Sequence, residues 1–212
     1  MYTDTEVCNM ALAMIGEGHM IESIDEHSVT AEACKRFFNL CLDCCNGTYN
    51  WSFARRDEVL DSSYLLSDVV ALPYRNAYRL PEDVFKIIRI GEISDTSESE
   101  TFGNRSTVLF NFRNYDNKRI LVADIEAPFA IQYQCRITDV SVCDPLFIEA
   151  LSYLLAHKLC GCIIRDANAA NLGTYMYNMF RTTVGKAAAL DAQQGNRGVA
   201  EKAYSGFLRA RR

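Results

Sequence analysis

The sequence has no surplus of positive charge. Its 212 residues carry 22 basic and 27 acidic side chains, a formal net charge of −5. Wrapping nucleic acid non-specifically needs a basic face against the phosphates, so the balance argues against that class. A leader is also missing: Met1-Tyr2-Thr3-Asp4-Thr5-Glu6 shows no basic start followed by an apolar run, and no export signal is expected. Neither G-x-G-x-x-G, nor a phosphate loop, nor H-E-x-x-H, nor G-x-S-x-G occurs. Gly185-Lys186-Ala187 lacks the upstream glycine and the Ser or Thr that a phosphate loop needs. Histidine is scarce at three, and His19 and His27 share one loop with Glu17, Glu22, Asp25 and Glu26. Such acid-rich loops are more often solvated than cation-binding. Pairs such as Glu82-Asp83, or Glu98 with Glu100, are indistinguishable from a charged surface. The residues form no catalytic constellation, and no cofactor or metal is expected.

Apolar side chains and cysteine are plentiful. At 49% hydrophobic and 11% aromatic the composition is far from that of a disordered chain. Nine cysteines cannot all pair within one chain. Without export they are expected reduced, as small hydrophobes. Cys34, Cys41 and Cys45, with Phe38, recur on one face of a helix. Cys41 and Cys44 do read C-x-x-C, but deep in a helical pattern rather than at a turn, which favours core over redox or zinc chemistry. His157 and Cys160 share a face from which Cys162 turns away, so they too read as packing.

A first helix is predicted from Thr3 or Asp4 through Val7, Met10, Ala11 and Met14, ending at Gly16 and Gly18. A second runs from Ser28 to about Cys45. Its polar stripe is Glu32, Lys35, Arg36, Asn39, Asp43 and Asn46, leaving Ala33, Phe37, Leu40 and Cys44 beside the cysteine face. The middle reads as strands: 69–74, 85–90, a hairpin of 108–112 and 119–122 turning at 114–118, and an alternating 129–135. Pro81 makes Tyr78-Arg79-Leu80-Pro81 extended, and 94–106 is a Ser-, Thr- and Glu-rich loop. Asp144-Pro145 starts a third helix, 146–164, apolar on nearly every side. Its Glu149, His157 and Lys158 argue for a central bundle helix or a subunit interface over a membrane span. Asp166 or Asn168 opens the last helix, with Leu172, Tyr175, Met176, Met179, Phe180 and Ala187 on one face and a break after Ala192.

Residues 193–212 hold five basic side chains and one acidic, +4 against −9 for the other 192 residues. Arg197, Lys202, Arg209, Arg211 and Arg212, with Tyr204, Phe207 and Leu208 as apolar anchors, make this arm the candidate partner-binding segment. The predicted class is α+β. A helical bundle of 1–50 with 143–192 carries an inserted antiparallel β lobe, 51–142, and the basic arm 193–212.

Four segments resemble the tail tubular protein A family of short-tailed bacteriophages. The first is Glu6-Val7-Cys8-Asn9-Met10-Ala11-Leu12-Ala13-Met14-Ile15-Gly16-Glu17, followed by Ile21, Ser23, Ile24, Asp25, Glu26, Ser28, Ala31 and Cys34. Asn50-Trp51-Ser52-Phe53-Ala54-Arg55-Arg56 is similar to the family's W-x-F-A element, and Ala77-Tyr78-Arg79-Leu80-Pro81-Glu82-Asp83 to its Y-x-L-P element. The helix from Asp144-Pro145-Leu146-Phe147 through Glu149-Ala150-Leu151 to Lys158-Leu159 resembles the fourth. The resemblance implies a structural virion protein of the tail or neck, assembled in the host cytoplasm. It implies a homo-oligomeric ring of about twelve subunits between the portal and the tail nozzle, with DNA passing through its channel and no membrane involved. The family carries no agreed catalytic residues, so an enzyme is not expected. The competing readings are a tail-associated cell-wall hydrolase, a metal-binding module, or a plain interaction module from a prophage remnant.

Overall fold

The computed structural model describes residues 1–92, 109–165 and 167–195. Two units divide it: Met1–Phe53 with the chain from Ile137 onward, and Ala54–Arg136. Segments 51–53 and 137–142 thus fall with the helices. The class is α+β, four long helices and two small antiparallel sheets.

In the helical unit, α1 (Asp4–Met14) opens on a capping box: Thr3 accepts from the Glu6 N–H at 3.2 Å, and Glu6 Oε2 accepts from the Thr3 N–H at 2.8 Å. Val7, Cys8, Ala11 and Leu12 are its buried face. Gly16, at φ 82°, supplies the left-handed residue that ends it. Helix α2 (Val29–Thr48) is capped by Ser28, which accepts from the Ala31 N–H at 3.1 Å. It runs a turn beyond the expected Cys45.

The cysteine face is as expected, with Cys34, Phe38, Cys41 and Cys45 all buried. Its width is corrected: Leu40 and Cys44 are exposed, whereas Asn46, assigned to the solvated stripe, is buried. A helical wheel gives spacing; which flank is covered depends on where the neighbouring helices lie.

Helix α3 (Pro145–Ile163) starts with Pro145 at its first position, but Asp144 makes no side-chain cap bond. The helix is long and apolar enough to cross a membrane by length and composition, with 56% of its apolar window buried inside the protein. It packs on α1, α2 and α4. An all-round apolar helix is stable in water only when neighbours cover its several faces.

Helix α4 (Ala169–Gly195) buries Gly173, Met176, Phe180, Thr183, Ala187 and Asp191, at steps of three and four. Tyr175, expected on that face, is 57% exposed. The helix also continues to Gly195, past the break expected after Ala192. The Asp191 carboxylate accepts from the Ser52 N–H and hydroxyl at 3.1 and 2.5 Å, joining the end of α4 to the segment after α2.

The β unit holds two three-stranded sheets, β1-β6-β3 and β2-β5-β4. The strands are β1 (Arg55–Leu60), β2 (Asn76–Arg79), β3 (Val84–Glu92), β4 (Phe110–Tyr115), β5 (Lys118–Ala123) and β6 (Phe129–Cys135). Strand β1, Arg-Arg-Asp-Glu-Val-Leu, carries none of the apolar alternation that marks a strand. It exists because it pairs with β6 along its whole length. The expected strand at 69–74 is instead a loop with a cis Leu72–Pro73 bond. Alternate residues of it serve packing: Val69, Ala71 and Tyr74 lie against Leu66, Ala77, Ile120 and Val122, while Val70 and Leu72 are exposed. The hairpin is as expected but tighter, a two-residue turn of Asp116 and Asn117 at φ 49° and 56°. Strand β6 is central in its sheet, and Ala130 and Gln134 are buried along with Phe129, Ile131 and Tyr133 rather than alternating with them. The loop expected at 94–106 lies outside the described residues.

Candidate functional site

The candidate partner-binding residues Arg197, Lys202, Tyr204, Phe207, Leu208, Arg209, Arg211 and Arg212 lie outside the described residues, as does Asp166, while 193–195, expected in the arm, end α4. Three other groups singled out in the sequence are described, and each is held in a structural arrangement.

In the loop between α1 and α2, the Asn9 side chain clasps Ile21. It donates to the Ile21 carbonyl and accepts from the Ile21 N–H, both at 2.9 Å. Glu26 accepts from the Ser28 hydroxyl at 2.6 Å and from the Glu22 N–H at 2.7 Å. These bonds hold its carboxyl below the usual carboxylate range, the Ser28 bond foremost. Glu26 therefore orders the chain entering α2, and the six acids and histidines of this loop do not converge on one point: among the described residues no group of three or more ligating side chains is placed to hold a metal ion.

Cys41 is buried and Cys44 exposed, so the C-x-x-C pair is split between core and surface. Burial pushes the Cys41 thiol up to about 12. His157 Nδ1 lies 2.8 Å from the Gly173 carbonyl oxygen and its ring 5.2 Å from Tyr177. Cys160 is buried, and Cys162 is exposed. Here α3 and α4 are close: a Cβ on Gly173 would stand 3.6 Å from the Cys160 Cβ.

The residues that carry the family resemblance converge in the same way on structural contacts. Trp51, 1% exposed, donates from Nε1 to the Cys45 carbonyl at 3.0 Å and meets Phe147 edge-on at 5.1 Å. Tyr78 is fully buried, donates to the Ile125 carbonyl and meets Phe129 at 4.8 Å. Asp83 accepts from the Tyr133 hydroxyl at 3.1 Å and pairs with Arg56 at 2.5 Å.

The concavity absent from the sequence reading is a cleft of about 410 Å³ in the β unit, where Tyr64, Arg79, Glu82, Tyr115 and Lys118 surround the end of the β4–β5 hairpin. The register sets Arg79 opposite Ile120 and Tyr115 opposite Lys118, so these side chains rise from one face of the sheet β2-β5-β4. Lys118 pairs with Glu82 at 3.2 Å, both exposed, a contact of small energetic weight. The Tyr115 hydroxyl donates to Asp68 at 2.9 Å, and that carboxylate pushes the phenol up. No histidine or cysteine is among the lining residues. The cleft sets the cations Arg79, Lys118 and Arg119 beside the acids Glu82 and Asp116, and the Tyr64 and Tyr115 hydroxyls donate to Glu58 and Asp68. Only cross-strand register could reveal it, because Arg79 and Lys118 lie 39 positions apart.

No protein-family model matches the chain, and no curated protein matches it.

Proposed function

We propose that the protein is a structural component of a phage tail, an adaptor ring between portal and tail nozzle, as its resemblance to tail tubular protein A implies. The observation that carries this reading is the order of the four segments along the chain, from Glu6 through Trp51 and Tyr78 to Asp144–Leu159. The residues in them do work that an adaptor needs, shaping rigid helical and β units rather than lining a reaction site. A closed ring needs two unlike patches on each subunit. Exposed apolar side chains such as Leu40, Tyr175, Tyr177 and Leu190 on the helices, and Val70, Leu72 and Leu109 on the β unit, are available for them. The −9 charge on residues 1–192 suits a wall past which DNA slides without sticking. The basic arm is the element that docks on the portal.

The test is to mix the full chain with isolated portal assemblies and image the product. Rings seated on the portal are expected; a monomer that ignores the portal refutes the reading. A chain ending at Gly195 keeps α4 whole and should lose portal binding while its circular dichroism is unchanged. Lytic activity on peptidoglycan, or stoichiometric zinc in the purified protein, would replace the adaptor by the hydrolase or metal-module reading.

A further inference from the structure

Charge is segregated along the helical unit. Residues 1–34 hold seven Asp and Glu and no Lys or Arg, a net −7 with histidine neutral. Helix α4 carries two cations, Arg181 and Lys186, and one acid, Asp191. Asp191 is buried with its carboxylate bonded to Ser52, so the exposed charge on α4 is purely basic. Within one copy the two signs stay apart. Helix α3 packs on α1, α2 and α4, whereas α4 makes hardly any contact with α1 or α2. Among the described residues, Arg181 and Lys186 have no ion-pair partner, nor do the exposed carboxylates of Glu22 and Glu32. We propose that α4 of one copy docks on the α1–α2 loop and the first turn of α2 of the next, a head-to-tail contact between copies of this chain. The proposal deepens the ring reading and rests on it, naming the two unlike patches that a ring requires.

The two patches match in kind as well as in sign. On the outward side of α4, Arg181 and Lys186 lie between Tyr175 and Leu190, which are 57% and 46% exposed. On the other patch Met20 is two positions from Glu22 and Val29 three from Glu32, with Met20 74% and Val29 77% exposed. Val29 and Glu32, at i and i+3, share one side of the first turn of α2. Docking takes these four apolar side chains out of water, while the charges set orientation and partner choice. The charges also decide the symmetry. A two-fold contact of either patch with itself puts like charges together, so unlike patches meet only head to tail. Each added copy then leaves one patch of each kind open until rotation closes the ring.

The test reverses each patch in turn in the full chain. One variant carries Glu22→Lys with Glu32→Lys, the other Arg181→Glu with Lys186→Glu, and all four side chains are exposed. Sedimentation velocity at low ionic strength reads self-association. The wild-type chain is expected to associate, and less so as salt rises. Each variant alone should associate about tenfold or more weakly, because like charges then face one another. An equimolar mixture of the two should associate again, since each patch of one variant complements the unlike patch of the other. That recovery also shows that both variants fold. A monomeric wild-type chain, association indifferent to either reversal, or no recovery from variants of unchanged circular dichroism overturns the contact. Wild-type association indifferent to salt overturns it too, and that measurement decides even where a variant does not fold. Imaging with the portal separates this contact from the adaptor reading. Rings on the portal from either variant alone overturn the contact and leave the adaptor standing. A wild-type chain that ignores the portal, yet associates and shows recovery on mixing, removes the adaptor and keeps the contact.

Discussion

The helical and β units solve the same problem of burial by different means. In the helical unit six cysteines, Cys8, Cys34, Cys41, Cys45, Cys143 and Cys160, fill the core together with Ala, Leu and the aromatic rings of Phe38, Trp51 and Phe147. Most of its backbone groups are satisfied within helices, and side chains serve the helix ends and loop, as Asn9 does for Ile21 and Asp191 for Ser52. The β unit has two sheets of three strands, too small to bury every connection between them. Its loops are instead tied by polar side chains reaching across sequence. Asn76 donates to the Ile125 carbonyl at 2.8 Å, the Arg75 N–H to Asp124 at 2.8 Å, and Arg113 to the carbonyls of Val70 and Leu72. Helix-face packing is thus the main device in one unit, with side-chain bonds at its helix ends, whereas the other adds such bonds along the connections between its strands.

The largest break in this contrast is expected at Phe147, which is fully buried and lies edge-on to both Trp51 and Phe53, at 5.1 and 5.2 Å. Phe147→Ala should cost about 3–5 kcal/mol, read as a lowered urea midpoint, since it removes an aromatic ring from a closed site. Next is Tyr78→Phe in the β unit, which keeps the ring against Phe129 and deletes only the bond to Ile125. A loss of about 1–3 kcal/mol is expected because the carbonyl is left buried without its donor. A loss below the precision of the measurement would show that the β unit, too, rests on packing.

Thr3→Ala, which removes the α1 capping box, should cost about 1 kcal/mol and fray the first turn, visible as faster amide exchange at Glu6. Smallest is the pH effect of Glu26. Its carboxyl is depressed in the folded state, so its contribution is present above the unfolded value of 4.5 and is lost as pH falls through the lower folded value. Glu26→Gln should flatten that acid limb of the stability curve; an unchanged limb would remove Glu26 from the account of how the loop is ordered.

Legibility followed the same divide. Thr3, Ser28 and Pro145 announced their helix starts because caps and proline act within one turn. The hairpin was legible through its amide- and acid-rich turn. Strand β1 was not, since Arg55, Arg56, Asp57 and Glu58 become a strand only by pairing with β6, more than seventy positions away. Val69 to Tyr74 mislead in the opposite direction: two adjacent valines suggest a strand, but the segment is a loop in which Val69, Ala71 and Tyr74 pack and Val70 is exposed. Of the candidate sites, the arm was visible as charge, whereas the cleft of Arg79, Tyr115 and Lys118 required the register of β2, β5 and β4.

The sequence by itself determined the absence of a basic surplus, the helix starts, the cysteine stripe of α2 and the α+β class, because each is written in composition or in spacings of a few residues. Only the tertiary structure decided which flank of α2 is covered, that Asn46 is inside and Leu40 outside, and that Trp51 belongs with the helices. Those depend on which distant surface arrives, and a local pattern carries no record of its partner.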